Sequence, residues 1–172
     1  DQPAALLAEN CFAPGQAKCT YGTGAFLLTN IGATPKISAH GLATSLAWNI
    51  RGESAYYLDG QVFTAATAVQ WLVDNDLLAS AEAIDSLPDA RGVMAAPGFA
   101  GYGAPLWKPH ATASIAGLTL SHGKGEIARA MVDGIAAQVA DLLGAIAADG
   151  VAVNELRVDG GLTQSHTLMQ MQ

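Results

Sequence analysis

Two short glycine-containing segments have the residue types that could contact a phosphate group. They are Gly22-Thr23-Gly24 and Asp159-Gly160-Gly161, more than a hundred residues apart. Because glycine has no side chain, backbone N–H groups can approach an anion closely, and the helix expected after Gly161 would add its positive N-terminal end. Thr23 contributes a hydroxyl donor. Each turn alone is weak evidence, since glycine also occurs wherever a backbone bends tightly.

Other kinds of site find little support in the residue pattern. The segment 122–125, His-Gly-Lys-Gly, lacks both the glycine spacing and the Ser or Thr of a P-loop. The four histidines do not show the i, i+4 spacing that places two imidazoles on one helical face, so we expect no metal site. The sequence also contains no Gly-x-Ser-x-Gly motif, which disfavours a serine hydrolase of that type.

Composition predicts one compact domain. The chain has 172 residues, of which 51% are hydrophobic and 13% charged. Its net charge of -7 disfavours binding to nucleic acid or to an anionic membrane surface. Cys11 and Cys19 are too few for a disulfide scaffold, and no uninterrupted apolar run approaches the roughly 20 residues that span a bilayer. We therefore expect a soluble, cytoplasmic protein with reduced thiols.

The first half of the sequence alternates between helical and strand-like patterns. A short buried helix is predicted over Pro3 to Phe12, and a β-hairpin over Cys19 to Asn30 around the first glycine turn. Further strands are predicted at Leu42 to Ile50 and Tyr56 to Val62, with a turn at Asp59 and Gly60. These strands predict an antiparallel meander.

The second half contains the strongest helical pattern. Apolar residues recur every three or four positions over Glu126 to Ala148, and this face should pack on a sheet. Its two glycines, Gly134 and Gly144, indicate close packing or a local irregularity. A shorter helix is predicted within Phe63 to Asp74, and Glu155 to Met171 predicts a strand, a glycine turn and a helix.

The two ends of the chain suggest a segment of a larger protein. The sequence opens on Asp1 without a methionine and closes at Gln172 inside an apolar pattern. We therefore expect that further chain belongs on both sides.

An ordered series of short motifs resembles the FGGY family of carbohydrate kinases, most nearly those members that phosphorylate glycerol. The series covers almost the whole chain and comprises segments 1–2, 21–26, 69–72, 101–107, 114–119, 127–143, 156–161 and 168–170. The resemblance implies an α/β fold of the actin-like ATPase (ribonuclease H-like) type, with a mixed sheet flanked by helices. Residues 1–172 would be part of the C-terminal domain, without the N-terminal domain and without the end of the C-terminal one.

The same resemblance assigns the substrate side of a kinase site. Asp1 matches the carboxylate that accepts the proton of the attacking hydroxyl, and it also contacts the polyol. Gln2 matches a neighbouring polyol contact. Phe26 matches a residue that packs against the carbon backbone of the substrate, although core packing alone would also explain an aromatic residue there.

The nucleotide side is assigned in the same way. Gly22 and Thr23 match the loop that faces the γ-phosphate of ATP, which is bound with Mg²⁺. Gln70 matches a nucleotide contact, and Ala66 stands where the family has glycine. Gly160 and Gly161 match the turn beside adenosine and the α-phosphate, and Ser165 lies near the position of a usual asparagine.

Several readings of the function stay open at this point. The parent protein would phosphorylate glycerol or a related polyol or sugar with ATP, and the segment alone would be inactive. A family member acting on a larger sugar such as xylulose, ribulose or erythritol is the alternative among kinases. A non-catalytic actin-like nucleotide-binding module is the alternative from another class. Exposed apolar surface on such a segment would favour a homo-oligomer.

Overall fold

The fold was analysed in a computed structural model that describes residues 2–172. A five-stranded mixed sheet forms its centre, with strands in the order β3-β4-β2-β1-β7. Only β1 and β7 run parallel, and the other neighbours are antiparallel. The strands are β1 (Gln16–Tyr21), β2 (Ala25–Gly32), β3 (Ala43–Ile50), β4 (Glu53–Val62) and β7 (Glu155–Asp159), while β5 (Met94–Ala96) and β6 (Ser114–Ala116) form a separate pair.

Helices cover both faces of the sheet, as predicted. They are α1 (Gln2–Ala8), α2 (Ala66–Asp74), α3 (Lys124–Ala148) and α4 (His166–Met171), with short 3₁₀ helices at Ala81–Ser86 and Gly161–Gln164. The main core lies between the sheet and α2, α3 and α4. A smaller apolar cluster under α1 contains Leu6, Leu28 and Tyr57 on the opposite face. The α/β class with helices flanking a mixed sheet is therefore confirmed.

The predicted hairpin forms from β1 and β2, but β1 begins at Gln16, earlier than the pattern suggested. Side chains of a strand alternate between its two faces. Ala17, Cys19 and Tyr21 enter the main core, which leaves Lys18 and Thr20 on the face toward α1. Cys11 and Cys19 are both buried, free thiols.

The turn predicted at Asp59 and Gly60 is wrong, because β4 is continuous through both residues. Asp59 pairs with Leu28 and Gly60 with Leu27 across the sheet. A Cβ at position 60 would lie 2.7 Å from a methyl carbon of Leu142, so glycine here permits α3 to pack closely on the sheet.

The simple meander is also wrong, because β4 lies between β2 and β3. Successive strands β3 and β4 pair through a turn in which Arg51 and Gly52 both have positive φ, 55° and 88°. This is the combination that favours a tight two-residue hairpin.

Helix α3 matches its predicted apolar pattern, with Met131, Ile135, Val139, Leu142 and Ile146 buried. It starts at Lys124 because the Glu126 carboxylate accepts a hydrogen bond from the Gly123 amide, 3.0 Å away. The helix is long enough to cross a membrane and has a mean hydropathy of 1.5 in its most apolar window, yet 56% of that window is buried inside the fold. Helices buried in a protein core can have the same length and hydropathy as a membrane-spanning helix.

The two glycines of α3 differ. A Cβ at Gly134 would lie 2.4 Å from the carbonyl oxygen of Ala95, so the predicted close packing is confirmed there. At Gly144 a Cβ would meet no heavy atom of residues 2–172 within 4 Å apart from its own helix, and the same prediction is wrong.

Candidate functional site

The two glycine turns meet at one edge of the sheet. Strands β1 and β7 are parallel neighbours with Thr20 beside Asp159, so the turns that follow them leave the sheet at the same end. Gly160 has φ of 96°, and a Cβ on it would lie 2.4 Å from the Tyr21 carbonyl oxygen. This position therefore requires glycine for both its conformation and its space.

The turn at Gly22-Thr23-Gly24 is held by the start of α2. The amides of Ala65 and Ala66 donate to the carbonyl oxygens of Thr23 and Gly22, at 2.9 and 3.0 Å. The Thr67 hydroxyl also donates to the Thr23 oxygen, at 3.0 Å. These bonds satisfy amide groups that a helix N-terminus leaves unpaired, and they fix the turn.

Ala66 and Gln70 lie on one face of α2 because they are four residues apart. Ala66 bonds directly to the glycine turn, whereas Gln70 is exposed and donates from Nε2 to Asp74 Oδ1 at 2.7 Å. The structure thus brings Gly22, Thr23 and Ala66 together directly after Tyr21, the residue that Gly160 packs against, with Gln70 one turn further along α2.

Gly161 opens onto a small pocket of about 160 Å³ between the two 3₁₀ helices. A Cβ at Gly161 would meet no heavy atom of the described residues within 4 Å, in contrast to Gly160. The pocket is lined by residues of both helices and the segment that follows, namely Ala81, Glu82, Ile84, Asp85, Gly161, Leu162, Gln164 and Ser165. Gly161 and Ser165, predicted as nucleotide contacts, therefore line the same concave surface.

Asp85 holds the start of α4, a contact that the sequence analysis missed. Its carboxylate accepts the Thr167 amide and the Ser165 hydroxyl, both at 2.8 Å, and the His166 amide at 3.1 Å. These bonds lower the pKa of Asp85 to about 2, with the Thr167 amide contributing most. The Ser165 hydroxyl in turn accepts the Leu168 amide and caps the helix. No local signal could reveal a partner eighty residues away.

The residues predicted for the substrate side lie on the face of the sheet that α1 covers. Phe26 is half-buried against the cluster of Leu6, Leu28 and Tyr57 and is paired across the strands with Thr20 and Gln61. Gln2 is the first residue of α1. Asp1, predicted as the catalytic carboxylate, lies outside the described residues.

Between these two groups lies a buried lysine that the sequence analysis also missed. Lys18 is 0% exposed, and its Nζ donates to Gln2 Oε1 and to Thr20 Oγ1, the latter at 2.7 Å. Burial lowers the pKa of Lys18, an effect that the charges of Asp159 and Asp59 oppose. Strand alternation was the available signal, since Gln16, Lys18 and Thr20 share one face and Ala17, Cys19 and Tyr21 share the other.

Asp59 and Asp159 complete this charged group. Each has an Oδ1 atom that is buried without a hydrogen-bond partner among the described residues. Burial raises the pKa of Asp59, while the Gln61 amide, 3.0 Å from Oδ2, and the charge of Lys18 act in the opposite direction. Within residues 2–172, no group of three or more His, Cys, Asp or Glu side chains is arranged to hold a metal ion.

Sequence comparison identifies close relatives along the whole chain. The family model described as "FGGY family of carbohydrate kinases, C-terminal domain" matches residues 17–172. A glycerol kinase of Alkalilimnicola ehrlichii is 47% identical over 100% of this chain and 36% of the relative, and one of Thermus brockianus is 43% identical with the same coverage. The chain spans about a third of the length of the curated relatives it matches.

Solved structures agree with the sequence relatives. A Plasmodium falciparum glycerol kinase with ADP superposes with a TM-score of 0.92 at 37% identity, over 99% of this chain and 35% of that one. A xylulose kinase from Rhodospirillum rubrum superposes with a TM-score of 0.79 at 24% identity, over 99% and 35% respectively. The second likeness concerns the fold alone. Together these neighbours confirm the expected actin-like ATPase type of fold.

Proposed function

Because the chain belongs to the C-terminal domain of the FGGY family of carbohydrate kinases, we propose that the whole protein transfers the γ-phosphoryl group of ATP to a terminal hydroxyl of glycerol. The observation that carries this proposal is the meeting of the two glycine turns at one edge of the sheet, where Thr20 pairs with Asp159. Support for glycerol comes from the glycerol kinases that are 43–47% identical to the chain.

On this proposal the nucleotide binds along the edge where β1 and β7 end. Gly22 and Thr23 would face the γ-phosphate, because their turn is fixed by α2 and the Thr23 side chain is exposed. Gly160 and Gly161 would lie beside the α-phosphate and adenosine, and the pocket that Gly161 and Ser165 line offers space for part of the nucleoside. Ala66 and Gln70 would border the same site from α2.

We propose that Mg²⁺ arrives as part of the MgATP substrate, where it offsets charge on the phosphates. The protein's contribution would be positioning and electrostatic stabilisation, which supply most of the catalysis in phosphoryl transfer.

The substrate side of the proposal depends on α1. Asp1 would accept the proton of the attacking hydroxyl, and Gln2 would hold a second hydroxyl. Phe26, half-buried on the same face, would pack against the carbon chain of the substrate. Residues 1–172 alone would be inactive, because the rest of the protein is needed to enclose the substrate and exclude water.

The proposal is tested by the acceptor specificity of the whole protein. We expect ATP turnover that depends on glycerol and is much slower with xylulose, ribulose or erythritol. Asp1→Asn should lower kcat by about 1,000-fold or more, the scale of a lost general base. The exposed Asp141→Asn is the matched control and should leave kcat unchanged.

The other readings predict different results in the same assay. If turnover were faster with xylulose, ribulose or erythritol than with glycerol, that compound would be the substrate. ATP binding without turnover for any acceptor would favour the non-catalytic actin-like module. Glycerol-dependent turnover by residues 1–172 alone would contradict the proposed inactivity of the segment.

A further inference from the structure

Lys18 lies where the substrate side and the nucleotide side of the chain meet. It is a residue of β1, the strand between β2 and β7, four positions before Gly22, and it is 0% exposed. Lysine is almost never fully buried unless its charge is paired. The burial of a lysine at this position therefore needs an explanation, whereas an apolar residue at the same position would need none.

The hydrogen bonds of Lys18 connect two elements. Its Nζ donates to Thr20 on its own strand and to Gln2, the first residue of α1. Thr20 pairs with Asp159, the residue immediately before Gly160. One side chain thus links the start of α1 to the edge of the sheet from which both glycine turns leave.

Electrostatics explain why a cation is needed at this position. Asp59 and Asp159 each present a buried Oδ1 without a hydrogen-bond partner among residues 2–172. The charges of both act on Lys18 and favour its protonated form. Since the ammonium group is enclosed, direct contact with a phosphate of the nucleotide is disfavoured.

We propose that Lys18 is a positioning residue, which holds Gln2 at the start of α1 in register with the phosphate-facing turns. This inference rests on the proposed kinase function. On the proposed function Gln2 contacts the polyol, so loss of its bond to Lys18 would displace a side chain that holds the substrate. A misplacement of about 1 Å in such a site can cost about 100-fold in rate.

A second basic residue provides the matched control. Arg157 Nη1 donates to the carbonyl oxygen of Glu9, just beyond the other end of α1. Arg157 therefore also fastens α1 to the sheet, but at the end away from Gln2. If Lys18 served only to attach the helix, replacing either residue would have the same effect on catalysis.

The test compares Lys18→Met and Arg157→Met in the whole protein by steady-state kinetics. We expect Lys18→Met to lower kcat/KM for glycerol by about 100-fold or more, with KM for ATP changed less than about threefold. Arg157→Met should keep both parameters within about threefold of the wild type. Equal losses in the two variants, or an unchanged kcat/KM in Lys18→Met, would overturn the proposal.

Two further measurements keep the test decisive. Lys18→Met leaves Asp59 and Asp159 uncompensated, so Lys18→Met/Asp59→Asn restores the charge balance and should regain stability without regaining kcat/KM. Regained activity in the double variant would overturn the positioning role.

Hydrogen exchange at the amides of Leu6 to Ala8 is independent of activity, and Lys18→Met should accelerate it by about tenfold, whereas an unchanged rate would contradict the proposal. A wild-type protein inactive on every acceptor would refute the proposed function, while exchange would still report on the link between Lys18 and α1.

Discussion

Gly160 lies so close to Tyr21 that a Cβ at position 160 would stand 2.4 Å from the Tyr21 carbonyl oxygen and 2.9 Å from its amide nitrogen. This contact joins the residue after β7 to the residue before the first glycine turn. The two glycine turns, which are far apart in sequence, therefore lie side by side at one edge of the sheet. Neither turn could form this surface alone.

Gly160→Val should destabilise the fold. The φ of 96° is strained for any residue with a side chain, and the new atoms would overlap the Tyr21 backbone, which cannot move without disturbing β1. We expect the free energy of unfolding to fall by about 3 kcal/mol or more. Urea unfolding of the wild type and the variant measures this change, and equal midpoints would show that the turn is not as closely packed as described.

The two glycines of α3 should respond in opposite directions to alanine. The added methyl of Gly144→Ala would meet no heavy atom of residues 2–172 outside its own helix within 4 Å, and the change removes the flexibility of glycine, so it should stabilise the protein by about 0.5–1 kcal/mol. Gly134→Ala would bring a methyl group against the Ala95 carbonyl oxygen and should destabilise it by about 1–3 kcal/mol. Thermal or urea unfolding of both variants gives the comparison, and a shift of the same sign in both would contradict the packing of α3.

The contribution of Asp85 should depend on pH in a defined direction. Hydrogen bonds in the folded state lower the pKa of this carboxyl from 3.8 to about 2. Its stabilisation is therefore fully present above pH 3.8, where the carboxyl is ionised in both states, and is lost as the pH falls through 2. Asp85→Asn should be less stable than the wild type at pH 7, and the difference should shrink between pH 4 and pH 2.

Asp89 serves as the control for this measurement, because its side chain is 90% exposed and its ion pair with Arg129 is long, at 3.7 Å. Asp89→Asn should change the unfolding free energy little at either pH. A stability difference for Asp85→Asn that stayed constant down to pH 2 would show that its hydrogen bonds do not depend on ionisation.

Local patterns were sufficient for the parts of the fold that depend on residues near in sequence. The apolar period of α3 and the turn between β1 and β2 were predicted because each is encoded within about twenty residues. Gly60 shows where this fails, since a glycine required by Leu142 of a distant helix has the same local appearance as a glycine in a turn. The position of β4 between β2 and β3 is likewise determined by contacts between distant residues, so no short stretch of sequence predicts it.

The candidate site was predicted in part for a similar reason. Glycines beside strand ends and an ordered set of motifs identified the two turns, because backbone access to an anion requires particular residue types. Lys18 and Asp85 were missed because their importance lies in partners contributed by other elements, Gln2 for one and the start of α4 for the other. An isolated charged residue in a sequence gives no indication of such a partner.

Nucleotide binding at the edge formed by the two turns is the central claim, and Gly161 is the position at which it can be tested with the least change in packing. Titration calorimetry of MgATP into the whole protein, wild type and Gly161→Val, is the decisive comparison, with urea unfolding of both as the control. Because a Cβ at position 161 would meet no heavy atom of residues 2–172 within 4 Å, we expect little change in stability and an affinity for MgATP reduced by about 100-fold or more. An equally stable variant that bound MgATP as tightly as the wild type would contradict the assignment of this edge as the nucleotide site.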